Sequence, residues 1–133
     1  MANGTSVPVT DLVPTSSVLV STATSQACTF DTGTQATASV DVGGLGKRVV
    51  LELQCGTTDT IGVSIAAGSN PPANRKGMGA YAKTGLVTSG RWMLGPYESA
   101  RFIGTDGKMT ITVSSDTTNV LSATARAWKV PMV

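Results

Sequence analysis

Short stretches of alternating apolar and polar residues, separated by glycine-containing turns, run through most of this chain. Successive side chains of a β-strand point to opposite faces, so alternation with a period of two marks a strand with one buried face. The clearest example is Arg48–Cys55, whose expected inward residues are Val49, Leu51, Leu53 and Cys55. No apolar pattern of period 3.6 persists for about ten residues, so no helix is predicted.

The other alternating stretches predict further strands. They are Ser17–Ala23, Ala27–Phe30, Gln35–Val42, Thr60–Ala66, Gly79–Lys83, Leu86–Thr88, Arg91–Leu94, Ser99–Ile103, Lys108–Ser114 and Leu121–Val130. Asp-Gly tolerates the positive φ of tight turns, so Gly104–Gly107 is predicted to close a hairpin between the strands on either side of it. Gly68–Gly77, rich in Gly, Pro and Asn, is predicted to be a loop.

Many short strands at spacings of about ten residues are typical of an all-β domain. We predict a single-domain antiparallel β-sandwich or barrel, of jelly-roll or Ig-like type, over residues 15–133. Arg48–Cys55 and Lys108–Ser114 are expected to be its central strands. The expected large core side chains are Phe30, Trp92, Phe102 and Trp128.

Residues 1–14 are interpreted as an extended N-terminal arm. Pro8 and Pro14 remove backbone donors and favour extended geometry in the residues before them. The apolar side chains of the arm would hardly offset the backbone entropy lost on ordering, about 1–2 kcal/mol per residue. The arm lies either on its own domain or, as we favour, on a neighbouring subunit. Deleting residues 1–13 is then expected to leave the domain stable.

The chain lacks residues that many enzyme mechanisms need. It contains no histidine, which excludes Ser-His-Asp and Cys-His nucleophile systems and His-based zinc sites. Its acidic residues are scattered, without the facing pair of a glycosidase or the oxygen-rich loop of a calcium site. We predict that the protein is not an enzyme and has no catalytic residues, no metal site and no cofactor.

The sequence also bears on where the chain is made. No apolar run approaches the roughly 18–20 residues that cross a bilayer, so no membrane contact is expected. The first basic residue is Lys47, so the basic start of a secretory signal is missing and synthesis in the cytoplasm is expected. Cys28 and Cys55 are then expected to be free buried thiols, with a disulfide between strands as the alternative.

Charge is unevenly distributed along the chain. Residues 1–46 contain three aspartates and no lysine or arginine, a net charge of −3. Residues 47–133 contain ten basic and five acidic residues, a net charge of +5. This asymmetry is either ordinary surface variation or an attraction between subunits. The basic pairs Lys47-Arg48 and Arg75-Lys76 are too few for a nucleic-acid face, so no nucleic-acid partner is expected.

Trp128 is in phase with Thr124 and Arg126, opposite a face of alanines. If the alanine face is the packed side, Trp128 lies on the other surface, and tryptophan and arginine are frequent at binding hot spots. Core and interface are both open for this residue. The predicted partner-contact residues are the apolar side chains of the arm, one basic pair and this tryptophan: Val7, Val9, Leu12, Val13, Arg75, Lys76 and Trp128.

The C-terminal two thirds contain a series of motifs that resembles a known class of proteins. They are a Gly-Pro-flanked strand entry and a Ser-Ala-Arg-Phe strand within residues 90–102, an Asp-Gly hairpin at Asp106-Gly107-Lys108, and a last strand that ends in Trp128-Lys129-Val130-Pro131. Residues 48–131 resemble the head decoration (cement) proteins of tailed bacteriophages. The resemblance implies a virion protein on the capsid exterior that stabilises the capsid lattice against internal DNA pressure. It also implies contact with the major capsid protein and with sister subunits, as a homo-oligomer and often a trimer.

Two other classes are compatible with the sequence. A small coat protein of the type found in single-stranded RNA phages has about this length, but it resembles a sheet followed by C-terminal helices, whereas this C-terminus is predicted to be a strand. A carbohydrate-binding or tail-fibre module would stack sugars on Trp92, Tyr97 or Trp128. An exposed aromatic ring in a shallow groove beside Asp or Asn would favour the latter.

Overall fold

The computed structural model describes residues 4–11, 28–43, 47–56, 60–69, 77–86, 90–116 and 120–131. Their elements are β1 Ser6–Val7, β2 Val9–Asp11, β3 Cys28–Phe30, β4 Gln35–Val40, β5 Lys47–Cys55, β6 Ile61–Ile65, β7 Tyr81–Leu86, β8 Arg91–Glu98, α1 Ser99–Phe102, β9 Met109–Ser115 and β10 Ala123–Pro131. The protein is therefore all-β, as the alternation predicts. Within these ranges no helix is long and apolar enough to cross a membrane.

The strands form two sheets. Sheet 1 has the order β1-β4-β9-β6-β7, and sheet 2 has the order β2-β10-β5-β8, with β3 also paired to β10. Pairing is antiparallel except for β1 with β4 and β2 with β10, which are parallel. The pairing registers show which strand ends lie at the same end of the domain. We call the end that contains Gln35, Leu86 and Ala123 the upper end. The opposite end, which contains Val40 and Glu98, is the lower end.

One apolar core contains side chains from both sheets. The strands predicted to be central, β5 and β9, are interior strands of their sheets. The predicted inward residues of β5 are all buried. Of the large side chains expected in the core, Phe30 and Phe102 are buried there and Trp92 packs against it, whereas Trp128 is not part of it.

Most of the predicted strands are confirmed. Those at Ala27–Phe30, Gln35–Val42, Arg48–Cys55, Thr60–Ala66, Arg91–Leu94, Lys108–Ser114 and Leu121–Val130 correspond to β3, β4, β5, β6, β8, β9 and β10, and β8 continues to Glu98. The weaker stretch Gly79–Lys83 corresponds to the first half of β7, and of the stretch Leu86–Thr88 only Leu86, the last residue of β7, is described. The predicted strand Ser17–Ala23, the loop residues 70–76 and the boundary between arm and domain lie outside the described residues.

The strand predicted at Ser99–Ile103 is wrong, because this segment is one turn of helix, α1. The amide of Ile103 donates to the carbonyl of Ser99 at 3.0 Å, which closes the turn. Ser99 and Phe102 are both buried. A spacing of three residues puts two side chains on one face of a helix, whereas in a strand they would point to opposite faces.

The hairpin predicted at Gly104–Gly107 is also wrong. The turn itself forms, since the amide of Gly104 donates to the carbonyl of Lys108 at 2.9 Å and Gly107 has a φ of 77°. However, the elements it joins do not pair: β8 and α1 precede it, and β8 lies in sheet 2 whereas β9 lies in sheet 1. The Asp-Gly pair marked a turn correctly, but a turn residue does not determine which strands pair.

The N-terminal segment crosses from sheet 1 to sheet 2 at Pro8. β1 pairs with β4 and β2 pairs with β10, and the carbonyl of Pro8 accepts a hydrogen bond from Ala127 at 2.8 Å. Val7 is 2% exposed and belongs to the core. Residues 4–11 therefore lie on their own domain and not on a neighbouring subunit. The edges of β4 and β10 supply the backbone hydrogen-bond partners that an isolated arm lacks.

Candidate interaction surface

Strands β7 and β8 lie on the same side of the domain, each at the edge of its sheet. Near the lower end, aromatic side chains join the two edges. The ring centroids of Tyr81 on β7 and Tyr97 on β8 are 5.1 Å apart, and the ring of Phe102 on α1 lies 5.8 Å from that of Tyr97. Such aromatic pairs contribute about 0.5–1.5 kcal/mol each beyond area burial. They hold β7, β8 and α1 together as one surface.

Both edge strands contain a bulge. The register of β7 with β6 shifts near Gly85, which has a φ of 70°, and that of β8 with β5 shifts at Gly95, which has a φ of 116°. A Cβ atom at Gly95 would lie 2.8 Å from the carbonyl oxygen of Val49, so this position requires glycine. Bulges, together with Pro96 in β8, interrupt the row of backbone donors and acceptors along an edge. Side chains are therefore better placed than backbone to contact a partner here.

An open groove of about 280 Å³ lies at the lower end of this side. It is lined by side chains of β8, of α1 and of the segment before β7: Met78, Pro96, Tyr97, Glu98, Arg101 and Phe102. Met78 is 53% exposed, which is unusual for a large apolar side chain. Methionine, aromatic residues and arginine are enriched at protein interfaces. The groove therefore has the composition of a protein-binding surface.

Arg101 is held against the aromatic wall of the groove. Its guanidinium carbon lies 4.7 Å from the centroid of the Phe102 ring, a cation–π contact. Its Nη2 donates to the carbonyl of Gly79 at 3.5 Å, and its buried Nε has no acceptor among the described residues. Burial raises the pKa of the Tyr97 phenol, and a hydrogen bond with Tyr81 raises it further. The groove therefore offers a neutral phenol beside a fixed cation.

A second feature lies on the outer face of sheet 2, away from the core. The carboxylate of Glu52 accepts a hydrogen bond from Trp128 Nε1 at 3.2 Å and forms ion pairs with Arg91 at 3.2 Å and with Arg126 at 3.8 Å. Glu52, Arg126 and Trp128 are all buried although they face away from the core. Met93, opposite Glu52 on β8, is 59% exposed. This cluster links three strands of sheet 2.

An open cavity of about 240 Å³ lies at the upper end, where β3 and β5 flank β10. Its polar lining includes Thr29, Asp31, Gln54 and Ser122. The aromatic residue in its lining, Phe30, is fully buried. The cavity therefore offers polar groups without an exposed ring face.

The structure does not bring the predicted partner-contact residues together. Val7 is buried in the core of its own chain, and Val9 packs against that core while partly exposed. Trp128 is 5% exposed, on the outer face of sheet 2. Leu12, Val13, Arg75 and Lys76 lie outside the described residues. Of the two possibilities for β10, the alanine face is the packed side, because Ala123, Ala125 and Ala127 all belong to the core.

The sequence does not identify the groove residues as one site, and of them it suggests only Tyr97, as a residue that could stack on a sugar. Met78, Tyr97 and Arg101 come from three different segments, so no local pattern links them. The available signal was weaker: a methionine flanked by glycines at Gly77 and Gly79 has no alternating apolar neighbours that would place it in a buried strand face.

Both cysteines are free and buried. Burial raises the pKa of the Cys28 thiol, although a hydrogen bond with the backbone of Ser6 partly opposes this, and burial alone raises the pKa of the Cys55 thiol. The thiol of Cys55 lies 3.8 Å from the carbonyl oxygen of Leu86. The expectation of two free buried thiols is confirmed.

No protein family model, curated protein or solved structure matches this chain. Among the described residues no group of three or more Cys, Asp or Glu side chains is placed to hold a metal ion.

Proposed function

We propose that the chain is a non-enzymatic structural protein of a virus particle, a decoration protein that binds the outer surface of the capsid and stabilises its lattice. Its two sheets pack face to face as a jelly-roll sandwich, and its groove of Met78, Tyr97 and Arg101 contacts the capsid shell. The protein is made in the cytoplasm and functions on the capsid exterior.

The observation that carries the proposal is the order of strands β3 to β10. Sheet 1 contributes β4-β9-β6-β7 and sheet 2 contributes β3-β10-β5-β8. Numbered one to eight along the chain, these are the orders 2-7-4-5 and 1-8-3-6, in which two Greek keys interlock as in an eight-stranded jelly roll. Jelly rolls are the fold of many viral capsid domains and also of lectins. A shared fold does not determine function, so the proposal also depends on the residues of the surface.

The surface supports a binding role. The groove joins an exposed methionine to aromatic rings and an arginine held by a cation–π contact, and such side chains dominate binding energy at protein interfaces. The bulged edges of β7 and β8 guard against uncontrolled strand pairing, as a protein present in many copies on one particle requires. The resemblance to decoration proteins agrees with this role, although its Ser-Ala-Arg-Phe motif is helical in this chain.

The first test asks where the protein is located. Virus particles from the source of this sequence are purified and analysed by mass spectrometry, and an antibody against the chain is used for immunogold labelling of intact heads. We expect the chain in the particle and gold on the outer surface of the head. Absence from the particle, or labelling only after the shell is opened, would overturn the proposal.

The second test asks which surface binds. Met78→Asp places a charge in the groove, and Met93→Asp places the same charge on the outer face of sheet 2, at a methionine of similar exposure. We expect the first variant to bind heads stripped of the protein at least about tenfold more weakly, and the second to bind like the wild type. Equal loss in both variants, or in neither, would rule out the groove as the contact.

The sugar-binding alternative receives less support. Trp128 is buried, Trp92 and Tyr97 are partly buried against the core, and the groove that Tyr97 lines has no Asp or Asn among its described lining residues. The polar cavity near Asp31 lacks an exposed aromatic platform in its lining. For the coat-protein alternative, the described C-terminal residues form strand β10 where C-terminal helices would be expected.

A further inference from the structure

The charge asymmetry of the sequence corresponds to two opposite edges of the domain. Residues 4–43 contain Asp11, Asp31 and Asp41 and no lysine or arginine. Their strands β1 to β4 lie at one side of both sheets, which we call the acidic edge. Residues 77–103 contain Lys83, Arg91 and Arg101 against one glutamate, a net charge of +2. Their strands β7 and β8 lie at the other side of both sheets, which we call the basic edge.

The charged residues are spread along both edges. On the acidic edge, Asp31 precedes β4 at the upper end and Asp41 follows it at the lower end. On the basic edge, Arg91 begins β8 at the upper end and Lys83 lies within β7, whereas Arg101 lines the groove assigned to the shell. Two copies placed side by side in the same orientation would therefore bring the aspartates of one copy towards Arg91 and Lys83 of the next.

We propose that the acidic edge of one copy binds the basic edge of a second copy of this chain. The contact is head-to-tail, so a pair of copies keeps one acidic and one basic edge free for further copies, and the series closes into a ring if the rotation allows. Unlike charges across the contact guide association and fix its register. The bulges in β7 and β8 leave this role to side chains. The proposal goes beyond the proposed function, because it concerns contact between copies of this chain and does not depend on binding to a shell.

The acidic edge has side chains available for this contact. Asp41 is exposed, and its Oδ1 accepts a hydrogen bond from the amide of Gly43 at 3.2 Å, which fixes its position. On the basic edge, Lys83 and Thr84 are consecutive exposed residues of β7, so their side chains reach both sides of the strand. Substitutions at Lys83 and Thr84 change the charge of this edge at exposed positions.

The test measures self-association of the purified full chain by sedimentation velocity over a concentration series. We expect concentration-dependent oligomers that weaken by at least about tenfold between about 50 mM and about 500 mM NaCl, because salt screens surface charges. Asp31→Lys with Asp41→Lys, and separately Lys83→Glu with Thr84→Glu, should each abolish the oligomers. Mixing these two variants should restore oligomers in which the variants alternate, because the unchanged basic edge of one meets the unchanged acidic edge of the other, and the two reversed edges are complementary as well.

A matched control separates local from overall charge. Thr105→Glu with Lys108→Glu changes the net charge by the same −3 as the β7 variant, −1 for Thr→Glu and −2 for Lys→Glu, but lies in the turn before interior strand β9. It should associate like the wild type. A monomeric wild type at low salt, an equal loss in this control, or no restoration on mixing would overturn the proposal. Thermal melts of all variants exclude misfolding, and Lys83→Glu alone provides a milder variant. Shell binding, tested separately with Met78→Asp, is unaffected by failure here.

Discussion

At the scale of single residues, the cluster around Glu52 shows how a buried carboxylate outside the core is stabilised by several partners. Its carboxylate is shared by Trp128, Arg91 and Arg126. Removing one partner of a buried ion pair leaves the other charge in a poorly solvated place. We predict that Glu52→Ala lowers the free energy of unfolding by about 3 kcal/mol, measured by urea denaturation.

Gln54 supplies the matched control for this prediction. It lies on the same strand and outer face as Glu52 and accepts a hydrogen bond from Arg91 at 3.2 Å, but it is exposed. Gln54→Ala should cost less than about 1 kcal/mol, because exposed polar contacts contribute little. Similar losses for the two variants would mean that the Glu52 cluster is an ordinary surface arrangement.

The same cluster shows a limit of sequence reasoning. Alternation predicts that Glu52 faces away from the core, and it leaves Trp128 open between core and interface. It could not predict that this outer face is itself buried at these positions, because burial there depends on which distant side chains meet across β5, β8 and β10. Trp128 was therefore left between core and interface, whereas in the structure it is buried outside the core cluster with Glu52 as its partner.

At the scale of elements, the N-terminal segment leads to a revised expectation. Val7 is buried in the core and β1 and β2 each pair with an existing strand, so the segment is part of the domain. We predict that Val7→Ala lowers the free energy of unfolding by about 1–3 kcal/mol, and that deleting residues 1–11 lowers the melting temperature, as followed by circular dichroism. Thr5→Ala, at an exposed position of the same segment, should be neutral. A deletion variant that melts like the wild type would restore the free-arm interpretation.

Element boundaries followed local chemistry closely, whereas pairing did not. Most strands were predictable because burial on one face imposes a period of two, as in β4 and β9. α1 was missed because four residues are too few to show a helical period, although Ser99 and Phe102 have the spacing of one helical face. The hairpin was mispredicted because chain neighbours β8 and β9 lie in different sheets, a consequence of topology that no local pattern records.

At the scale of the whole molecule, the groove could not be predicted for the same reason. Its residues come from a segment before β7, from β8 and from α1, which become neighbours only when the two sheets bring their edges together. The charge asymmetry, in contrast, was visible in the sequence. The sequence does not show, however, that the acidic and the basic segments lie at opposite sides of the domain, because this follows from the strand order.

The whole molecule should lose stability at alkaline pH. Burial raises the pKa of Cys28, Cys55 and Tyr97 in the folded state. Above about pH 9 the two thiols of an unfolded chain ionise, and the Tyr97 phenol follows about one unit higher, while the folded chain keeps these three protons. The folded state then binds more protons than the unfolded state, so the free energy of unfolding falls as pH rises. We predict a stability that is level between about pH 7 and 8 and declines steadily above about pH 9, measured by urea denaturation at each pH.

Two variants distinguish this cause from the general loss of lysine charge at high pH. Tyr97→Phe removes one buried ionisable group, and Cys28→Ala with Cys55→Ala removes the other two. Each should be less stable than the wild type at neutral pH, because a hydrogen bond or packing is lost, yet each should decline less steeply above about pH 9. If the free energy of unfolding of each variant falls with pH as steeply as that of the wild type, burial does not raise the pKa of these three groups. A stability that rises with pH would contradict the sign of the effect itself, since groups with a raised folded-state pKa stabilise the fold only while they remain protonated.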